Sequence, residues 1–288
     1  VLTDIDLDHP QLGDTPDAIA REKSGIIKDR SRVVTARQTD GVMKVIEAAA
    51  ADHDAPLRVA GRDFAATDRR VAVGGQQLGL RIGDRIIDEV FLPLFGAHQA
   101  ENAAVALAAF ASFLGEETFA KVDDDVIRQG FGAVEAPGRL EIVHRDPTVV
   151  LDGAHNPHGA QALAAALEES FGFRNLVLVI ACLDDKNITG IVDAFRDHAN
   201  HVVVLSAPTH RAASREKMAK VADEVWAGTG VIIEQADTIA DALEKATGVA
   251  GEGDGVLVTG SLYTVGAARD HYLPLSEDAS GAPDEGAS

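Results

Sequence analysis

One short stretch, "VVLDGAHNPHGA", places four side chains that could do chemistry directly after an aliphatic run: Asp152, His155, Asn156 and His158. They could bind a metal ion, transfer protons, or only turn a strand into a helix. A zinc site is the weakest of these interpretations, because the two histidines lack a fixed helical spacing. Asp152 ends the first strand pattern of the C-terminal domain, and ligands of open parallel sheets bind beyond the carboxyl ends of strands. A plain turn, with Asn156 or His158 capping the next helix, explains the stretch equally well.

Three other stretches hold candidate side chains, each with an ordinary structural explanation. "HQAENA" places Asn102 near a helix start, where its amide could hold a nucleotide. "PGRLE" places Arg139 after a Pro-Gly pair, where it could equally be one more surface arginine. "LDHPQLGDTPDAIAREKSGI" holds His9 in a polar turn and Lys23 in the middle of a helix, positions that are usually structural or solvated.

The second half of the chain alternates between strand and helix patterns from Thr148 onward. Five short aliphatic runs, each bounded by a helical or turn segment, read "TVVLD", "LVLVIACL", "HVVVLSA", "GVIIEQA" and "GVLVTG". Continuous aliphatic strands are typical of a sheet with helices on both faces. The pattern predicts an α/β fold whose C-terminal part is a doubly wound, mostly parallel sheet.

The first half is less regular. "TPDAIAREKSGII" predicts a helix with Thr15 as N-cap and Pro16 at its first position, and residues 69–92 alternate like antiparallel strands. "EAPGR", residues 135–139, predicts a hinge between domains. We therefore expect domains at 1–136 and 137–273, followed by a flexible acidic tail or linker at 274–288.

Composition excludes several classes of protein. Asp and Glu number 46 against 26 Lys and Arg, a net charge of −20, which repels nucleic acid and anionic membranes. Dense, scattered Asp is typical of halophilic proteins. Cys182 is the only cysteine, so the chain has no intrachain disulfide or cysteine-based zinc site. No long apolar run or signal peptide is present, which predicts a cytoplasmic protein.

Taken together, these stretches resemble the folylpolyglutamate synthase / dihydrofolate synthase family of Mur-ligase-type, ATP-dependent amide ligases. The matching segments follow the family order over nearly the whole chain: "LDHPQLGDTPDAIAREKSGIIK", "GAHQAENAAVALAA", "APGRLEIV", "VVLDGAHNPHGA" and "TGSLYTVG". The resemblance implies the later part of a Mur-ligase central ATPase domain, followed by a Rossmann-like C-terminal domain that binds glutamate.

The resemblance also implies residue roles. His9 matches a histidine that helps to hold magnesium. Lys23 matches a catalytic lysine that is carbamylated, which turns a cation into a carboxylate able to support a second metal ion. Asn102, Arg139 and Asp152 match positions that bind ATP, with Arg139 against the phosphates.

Two further positions and the cofactors follow from the same resemblance. His155 is expected to bind the incoming glutamate and to be a second catalytic residue, and Ser261 in "TGSLYTVG" is expected beside the glutamate. The implied cofactors are ATP and Mg²⁺, with K⁺ as a further candidate. The implied substrates are a folate or dihydropteroate, L-glutamate and ATP, with fusion to another folate-pathway domain possible downstream.

The sequence departs from the family pattern in three places. His9 and Lys23 are separated by 13 residues, one fewer than usual, and "EKSG" replaces "EKAG". No G-x-x-x-x-G-K-[ST] phosphate loop is present. Because that loop precedes these segments in the family, we expect the chain to be the later part of a longer protein and to be inactive alone.

The expected activity is ATP-dependent addition of L-glutamate to a folate through an acyl phosphate. Dihydrofolate synthase activity on dihydropteroate, or a bifunctional enzyme, is the alternative within this class. A non-catalytic nucleotide-binding module is the alternative from another class, because the phosphate loop is missing.

Overall fold

The computed structural model describes residues 1–7 and 13–274. Contacts between residues divide the chain into two compact units. The first comprises 1–136 with 165–171, and the second begins at 137 and comprises the remainder. The division between residues 136 and 137 lies within "EAPGR". That this stretch is a hinge stays a prediction. Of the predicted tail, residues 275–288 lie outside the described part.

The first unit contains a two-stranded parallel sheet, a three-stranded antiparallel sheet and five helices among its described residues. In chain order its elements are α1 (Pro16–Ser24), β1 (Val33–Thr35), α2 (Asp40–Asp52), β2 (Leu57–Val59), β3 (Phe64–Ala72), β4 (Gly75–Ile82), β5 (Arg85–Leu92), α3 (Ala97–Leu114), α4 (Glu116–Phe119) and α5 (Asp124–Gly132).

Helix α1 begins where the sequence predicts, but it ends earlier. The Thr15 hydroxyl accepts a hydrogen bond from the backbone N–H of Ala18 at 3.2 Å, which confirms the N-cap. The helix stops at Ser24, because serine and glycine favour helices poorly. Lys23 therefore lies in the last turn, and its predicted position in the middle of the helix was wrong.

The antiparallel strands predicted for residues 69–92 are present as β3, β4 and β5, although β3 begins earlier, at Phe64. Phe64, Leu80 and Ile87 are completely buried there, and the alanine-rich face of α3 packs against them, including Ala108. Small side chains on α3 allow its backbone to approach the sheet closely.

The second unit is built on one six-stranded sheet. Its elements are β6 (Glu141–Arg145), β7 (Thr148–Leu151), α6 (Pro157–Ser170, whose last residues count with the first unit), β8 (Leu176–Ile180), α7 (Ile188–Asp193), β9 (Ala199–Val204), α8 (Arg215–Val225), β10 (Ile232–Gln235), α9 (Ile239–Val249), β11 (Gly255–Thr259) and α10 (Leu262–Tyr272).

The strand order in this sheet is β10-β9-β8-β11-β7-β6. All neighbouring strands are parallel except β6, which is antiparallel to β7. The five predicted strands and the mostly parallel α/β fold are confirmed. The central strands β7, β8 and β11 are buried over almost their whole length, and each fully buried Val, Leu or Ile stabilises the fold by about 1.5–3 kcal/mol.

One strand was missed by the sequence analysis. The sheet begins with β6 at its edge, so Asp152 follows the second strand of the unit, and its placement at the end of the first was wrong. Strand β6 is half exposed and carries charged side chains, among them Glu141 and Arg145, as edge strands often do.

Among the described residues, no helix is long and apolar enough to cross a membrane.

Candidate active site

The carboxyl ends of β7 and β11 lie side by side, because these strands are parallel neighbours. Backbone hydrogen bonds hold the loops that follow them together. The N–H of Asp152 donates to the carbonyl of Val258 at 3.0 Å, and the N–H of Gly260 donates to the carbonyl of Ala154 at 3.1 Å. The turn after β7 therefore has a fixed backbone, as a binding site at this edge of the sheet requires.

Asp152 is buried, and each of its two carboxylate oxygens accepts a backbone hydrogen bond. Oδ2 accepts from the N–H of Leu140 at 2.9 Å, and Oδ1 accepts from the N–H of Ala154 at 2.8 Å. Burial raises the pKa of Asp152, and this outweighs the lowering by the two N–H groups, Arg139 and His155. The carboxylate thus ties the loop before β6 to the turn after β7.

Arg139 is exposed beside this buried carboxylate. The two residues flanking it, Gly138 at φ 70° and Leu140 at φ 47°, both have left-handed backbone conformations. The carbonyl of Gly138 accepts a hydrogen bond from the N–H of Gly153 at 2.8 Å. A Cβ atom added at Gly153 would lie 3.3 Å from Nη1 of Arg139, so the guanidinium passes close to this glycine. The fold therefore presents the cation at the turn after β7.

The next residues of the turn have distinct structural roles. Nδ1 of His155 lies 2.9 Å from the carbonyl oxygen of Gly153, and because a carbonyl only accepts, Nδ1 carries the proton. Oδ1 of Asn156 accepts from the N–H of Gly159 at 2.7 Å, so Asn156 caps α6. Of the two caps proposed from the sequence, Asn156 is the one that the structure shows, and His158 is exposed.

Ser261 is buried at the N-cap of α10. Its Oγ accepts from the N–H of Thr264 at 3.1 Å and lies 2.9 Å from Oγ1 of Thr264. The hydroxyl is thus engaged in helix capping. Its predicted contact with glutamate stays a prediction, as does that of His155.

The other predicted site residues belong to the first unit. Asn102 is exposed near the start of α3 and donates from Nδ2 to Oε1 of Gln99 at 3.2 Å. Lys23 is half-buried, and its ammonium makes no hydrogen bond or ion pair with another described residue. His9 lies outside the described residues. Within residues 1–7 and 13–274, no group of three or more His, Cys, Asp or Glu is placed to hold a metal ion.

The sequence analysis missed charged residues on two further loops at the same edge of the sheet. Asp185 follows β8 and Arg211 follows β9, and their side chains form an ion pair, with Nη2 and Oδ2 separated by 2.8 Å. The runs "LDDKN" and "PTHR" after predicted strands carried the signal, because charged residues that follow parallel strands lie at one edge of a sheet.

The C-terminal part of the chain matches a known family of domains, and relatives match almost the whole chain. Residues 138–262 match the Mur ligase, glutamate ligase domain. The chain is 39% identical to a dihydrofolate synthase/folylpolyglutamate synthase of Mycobacterium tuberculosis, over 93% of this chain and 59% of that protein. It is 34% identical to a probable bifunctional folylpolyglutamate synthase/dihydropteroate synthase of Halobacterium salinarum, over 94% of this chain and 32% of that protein.

The fold comparison gives the same result. The structure matches a Mycobacterium tuberculosis folylpolyglutamate synthase complexed with ADP with a TM-score of 0.85 and 37% identity, over 94% of this chain and 62% of that one. The chain spans 59% and 61% of the length of the M. tuberculosis and Bacillus subtilis dihydrofolate synthase/folylpolyglutamate synthases that it matches.

Proposed function

Because this chain belongs to the folylpolyglutamate synthase / dihydrofolate synthase family, we propose that the intact protein uses ATP to join L-glutamate to a folate. The observation that carries the proposal is the turn at the carboxyl edge of the glutamate ligase domain. There Asp152 is buried and bonded to Leu140, which positions the exposed Arg139 beside Gly153. A fixed guanidinium at such an edge is suited to phosphate groups.

The proposed reaction has two steps. The γ-phosphate of ATP passes to the folate carboxylate, which gives an acyl phosphate and ADP. The amine of glutamate then attacks the acyl carbon, loses a proton, and inorganic phosphate leaves. Arg139 would stabilise the charge on the transferred phosphoryl group, and positioning would supply most of the catalysis. Asp152 would support ATP binding by fixing Arg139, and Asn102 would also contact the nucleotide.

Metal ions belong to the same proposal. His9 would hold Mg²⁺, which neutralises phosphoryl oxygens when bound. Lys23 would be carbamylated: its neutral amine adds to CO₂ and loses a proton, which leaves a carboxylate as a second metal ligand. A half-buried lysine without an ion-pair partner among the described residues is compatible with this modification. K⁺ remains a candidate additional cation.

The runner-up activity is dihydrofolate synthesis from dihydropteroate and glutamate, by the same chemistry. The relatives from M. tuberculosis and B. subtilis carry both activities in their names, which supports a bifunctional enzyme. Glutamate-dependent ADP release should be measured with dihydropteroate and with tetrahydrofolate as separate acceptors. Release with one acceptor alone assigns a single activity, and release with both assigns two.

A non-catalytic nucleotide-binding module is the alternative from a different class. The reading frame upstream of Val1 separates the two possibilities. A G-x-x-x-x-G-K-[ST] sequence there supports the ligase, whereas a stop codon directly before Val1 supports the binding module.

Lys23→Ala in the complete reading frame tests the carbamate role. We expect glutamate-dependent ADP release to fall by at least tenfold, because a metal ligand is lost. Lys44→Ala, which removes an exposed lysine from α2 of the same unit, is the matched control and should keep wild-type turnover. Unchanged turnover in Lys23→Ala would remove this role.

The proposal also includes a fused domain and adaptation to high salt. The relative from Halobacterium salinarum joins folylpolyglutamate synthase to dihydropteroate synthase in one polypeptide, which supports fusion to another folate-pathway domain. The same match and the net charge of −20 support adaptation to a salt-rich cytoplasm.

A further inference from the structure

Two charged side chains, Asp185 and Arg211, lie on the loops that follow β8 and β9, at the same sheet edge as the turn after β7. We propose that Arg211 binds a carboxylate of the incoming glutamate and that Asp185 orients its guanidinium. This inference rests on the proposed function and extends it to substrate recognition in the second unit.

The backbone around Arg211 is held firmly by the loop after β8. Its carbonyl accepts from the N–H of Asp184 at 2.9 Å, and the N–H of Ala213 donates to the carbonyl of Cys182 at 3.0 Å. Lys217 of α8 adds an ion pair, with its Nζ 2.7 Å from Oδ1 of Asp184. The two loops are therefore joined without the Arg211–Asp185 pair, so that pair is not needed to hold them.

The segment after β8 also contacts the starts of α10 and α6, which follow β11 and β7, and His155 lies just before α6. The carbonyl of Ala181 lies 3.4 Å from Oγ1 of Thr264, at the start of α10. A Cβ atom added at Gly190 would lie 2.8 Å from Cγ of Pro157, so α7 packs directly against the start of α6. Arg211 and the turn that carries His155 thus belong to one continuous edge within one unit.

Arg211 offers a charge that the two predicted glutamate residues lack. Nδ1 of His155 is engaged with a backbone carbonyl, and the hydroxyl of Ser261 caps α10. Glutamate brings two carboxylates to a chain with a net charge of −20, so its binding needs a local cation. A guanidinium is always protonated and matches a carboxylate in a bidentate geometry.

Exposure and hydrogen bonding leave Arg211 able to take a ligand. The side chain of Arg211 is 49% exposed and that of Asp185 is 40% exposed. Within the described residues, the guanidinium of Arg211 makes one hydrogen bond, from Nη2 to Asp185. A guanidinium has five N–H donors, so a substrate carboxylate can bind while Asp185 keeps hold of Nη2.

Steady-state kinetics on the protein of the complete reading frame test this inference. Arg211→Ala should raise the KM for glutamate roughly 10- to 100-fold, the range expected for hydrogen bonds to a charged group, with the KM for ATP unchanged. Arg211→Lys should recover part of the loss. The matched control is Lys220→Ala, which removes a surface cation from α8 that pairs with Glu224, and it should keep all wild-type constants.

A charge swap separates recognition from loop structure. Asp185→Arg combined with Arg211→Asp keeps an ion pair between the loops but exchanges the positions of the charges. Recognition by Arg211 predicts that the KM for glutamate stays raised in this double variant. A purely structural ion pair predicts a return to the wild-type KM, and that result would overturn the inference.

The remaining outcomes are distinct from one another. If the wild-type protein releases no ADP with folate and glutamate, the proposed function itself is wrong. If it is active and Arg211→Ala leaves the KM for glutamate unchanged, only the present inference is wrong. A rise confined to the KM of a polyglutamylated folate would assign Arg211 to the acceptor tail and would also overturn it.

Discussion

Asp152 shows how one buried side chain can act on a site through others. Its carboxylate accepts one hydrogen bond from the residue after Arg139 and one from the residue before His155. Both neighbours therefore depend on it for their backbone positions. A carboxylate suits this place because it offers an acceptor at each oxygen, whereas an amide offers only one.

Asp152→Asn should destabilise the folded protein by about 1–3 kcal/mol at pH 5, because one buried N–H would face an amide NH₂ and lose its acceptor. Urea unfolding of the wild type and the variant measures this difference. Asp223→Asn, which changes an exposed carboxylate on α8, is the control and should change stability by less than about 0.5 kcal/mol.

The pH dependence of that difference has a definite sign. Burial raises the folded-state pKa of Asp152 above its ordinary value of 3.8. The contribution of such a group to stability is fully present below the unfolded pKa and is lost as the pH rises through the folded pKa. The difference in unfolding free energy between the wild type and Asp152→Asn should therefore become smaller as the pH rises. A difference that grows with pH would contradict the raised pKa.

Cys182 should be chemically inert in the folded protein. It is completely buried, and burial raises the pKa of its thiol to about 12, so almost no thiolate exists at pH 8. Mass spectrometry after iodoacetamide treatment should find the peptide containing Cys182 unmodified in buffer and modified in urea. Rapid labelling in buffer would show that β8 is open at its end.

At the scale of elements, the turns after β7 and β11 differ in how they use glycine. Gly260 has φ 99°, and a Cβ atom there would lie 2.6 Å from the carbonyl oxygen of Ala181. At Gly153 the closest atom would be Cδ2 of Leu262, the end of a flexible and half-exposed side chain. The backbone carbonyl of Ala181 cannot move aside for a side chain at Gly260, whereas the side chain of Leu262 can turn away from one at Gly153.

Gly260→Ala should therefore destabilise the protein much more than Gly153→Ala. The left-handed φ alone costs about 1–3 kcal/mol for a residue with a side chain, and the backbone overlap adds to it. Gly153→Ala should cost less than about 1.5 kcal/mol, since only side chains must adjust. Chemical unfolding of both variants gives the comparison, and equal losses would contradict the packing described for these turns.

Elements with a strong internal pattern were predictable from the sequence. The five parallel strands are continuous aliphatic runs, and Thr15 followed by Pro16 marks a helix start. Strand β6 was not predictable in this way, because it is a half-exposed edge strand whose sequence, EIVHR, has only two apolar residues and no continuous aliphatic run.

Side-chain partners were much less predictable than elements. The Arg211–Asp185 pair joins residues 26 positions apart, on loops whose approach depends on the strand order. The capping role of Ser261 depends on where α10 begins. Asp152 could be placed at a sheet edge from the sequence, but its burial and its bond to Leu140 could not.

At the scale of the whole molecule, the net charge of −20 should make stability depend on salt. Like charges repel one another in the compact state, and salt screens this repulsion over a Debye length of about 3 Å at 1 M. The melting temperature should rise between about 0.05 M and 1 M KCl, by roughly 2–4 °C for each 1 kcal/mol gained. NaCl at the same concentrations should give a similar rise, because screening depends on ionic strength and not on the identity of the salt, and a fall with KCl would contradict this expectation.

Glutamate-dependent ATP turnover by the protein of the complete reading frame tests the central claim most directly. Purified protein with Mg²⁺ and ATP should release ADP only when L-glutamate and a folate or dihydropteroate are both present, and mass spectrometry should find the acceptor extended by a glutamyl residue. Arg139→Ala should abolish most of this turnover. ADP release that is independent of glutamate, or no extended product with either acceptor, would contradict the assignment of this chain to a glutamate ligase.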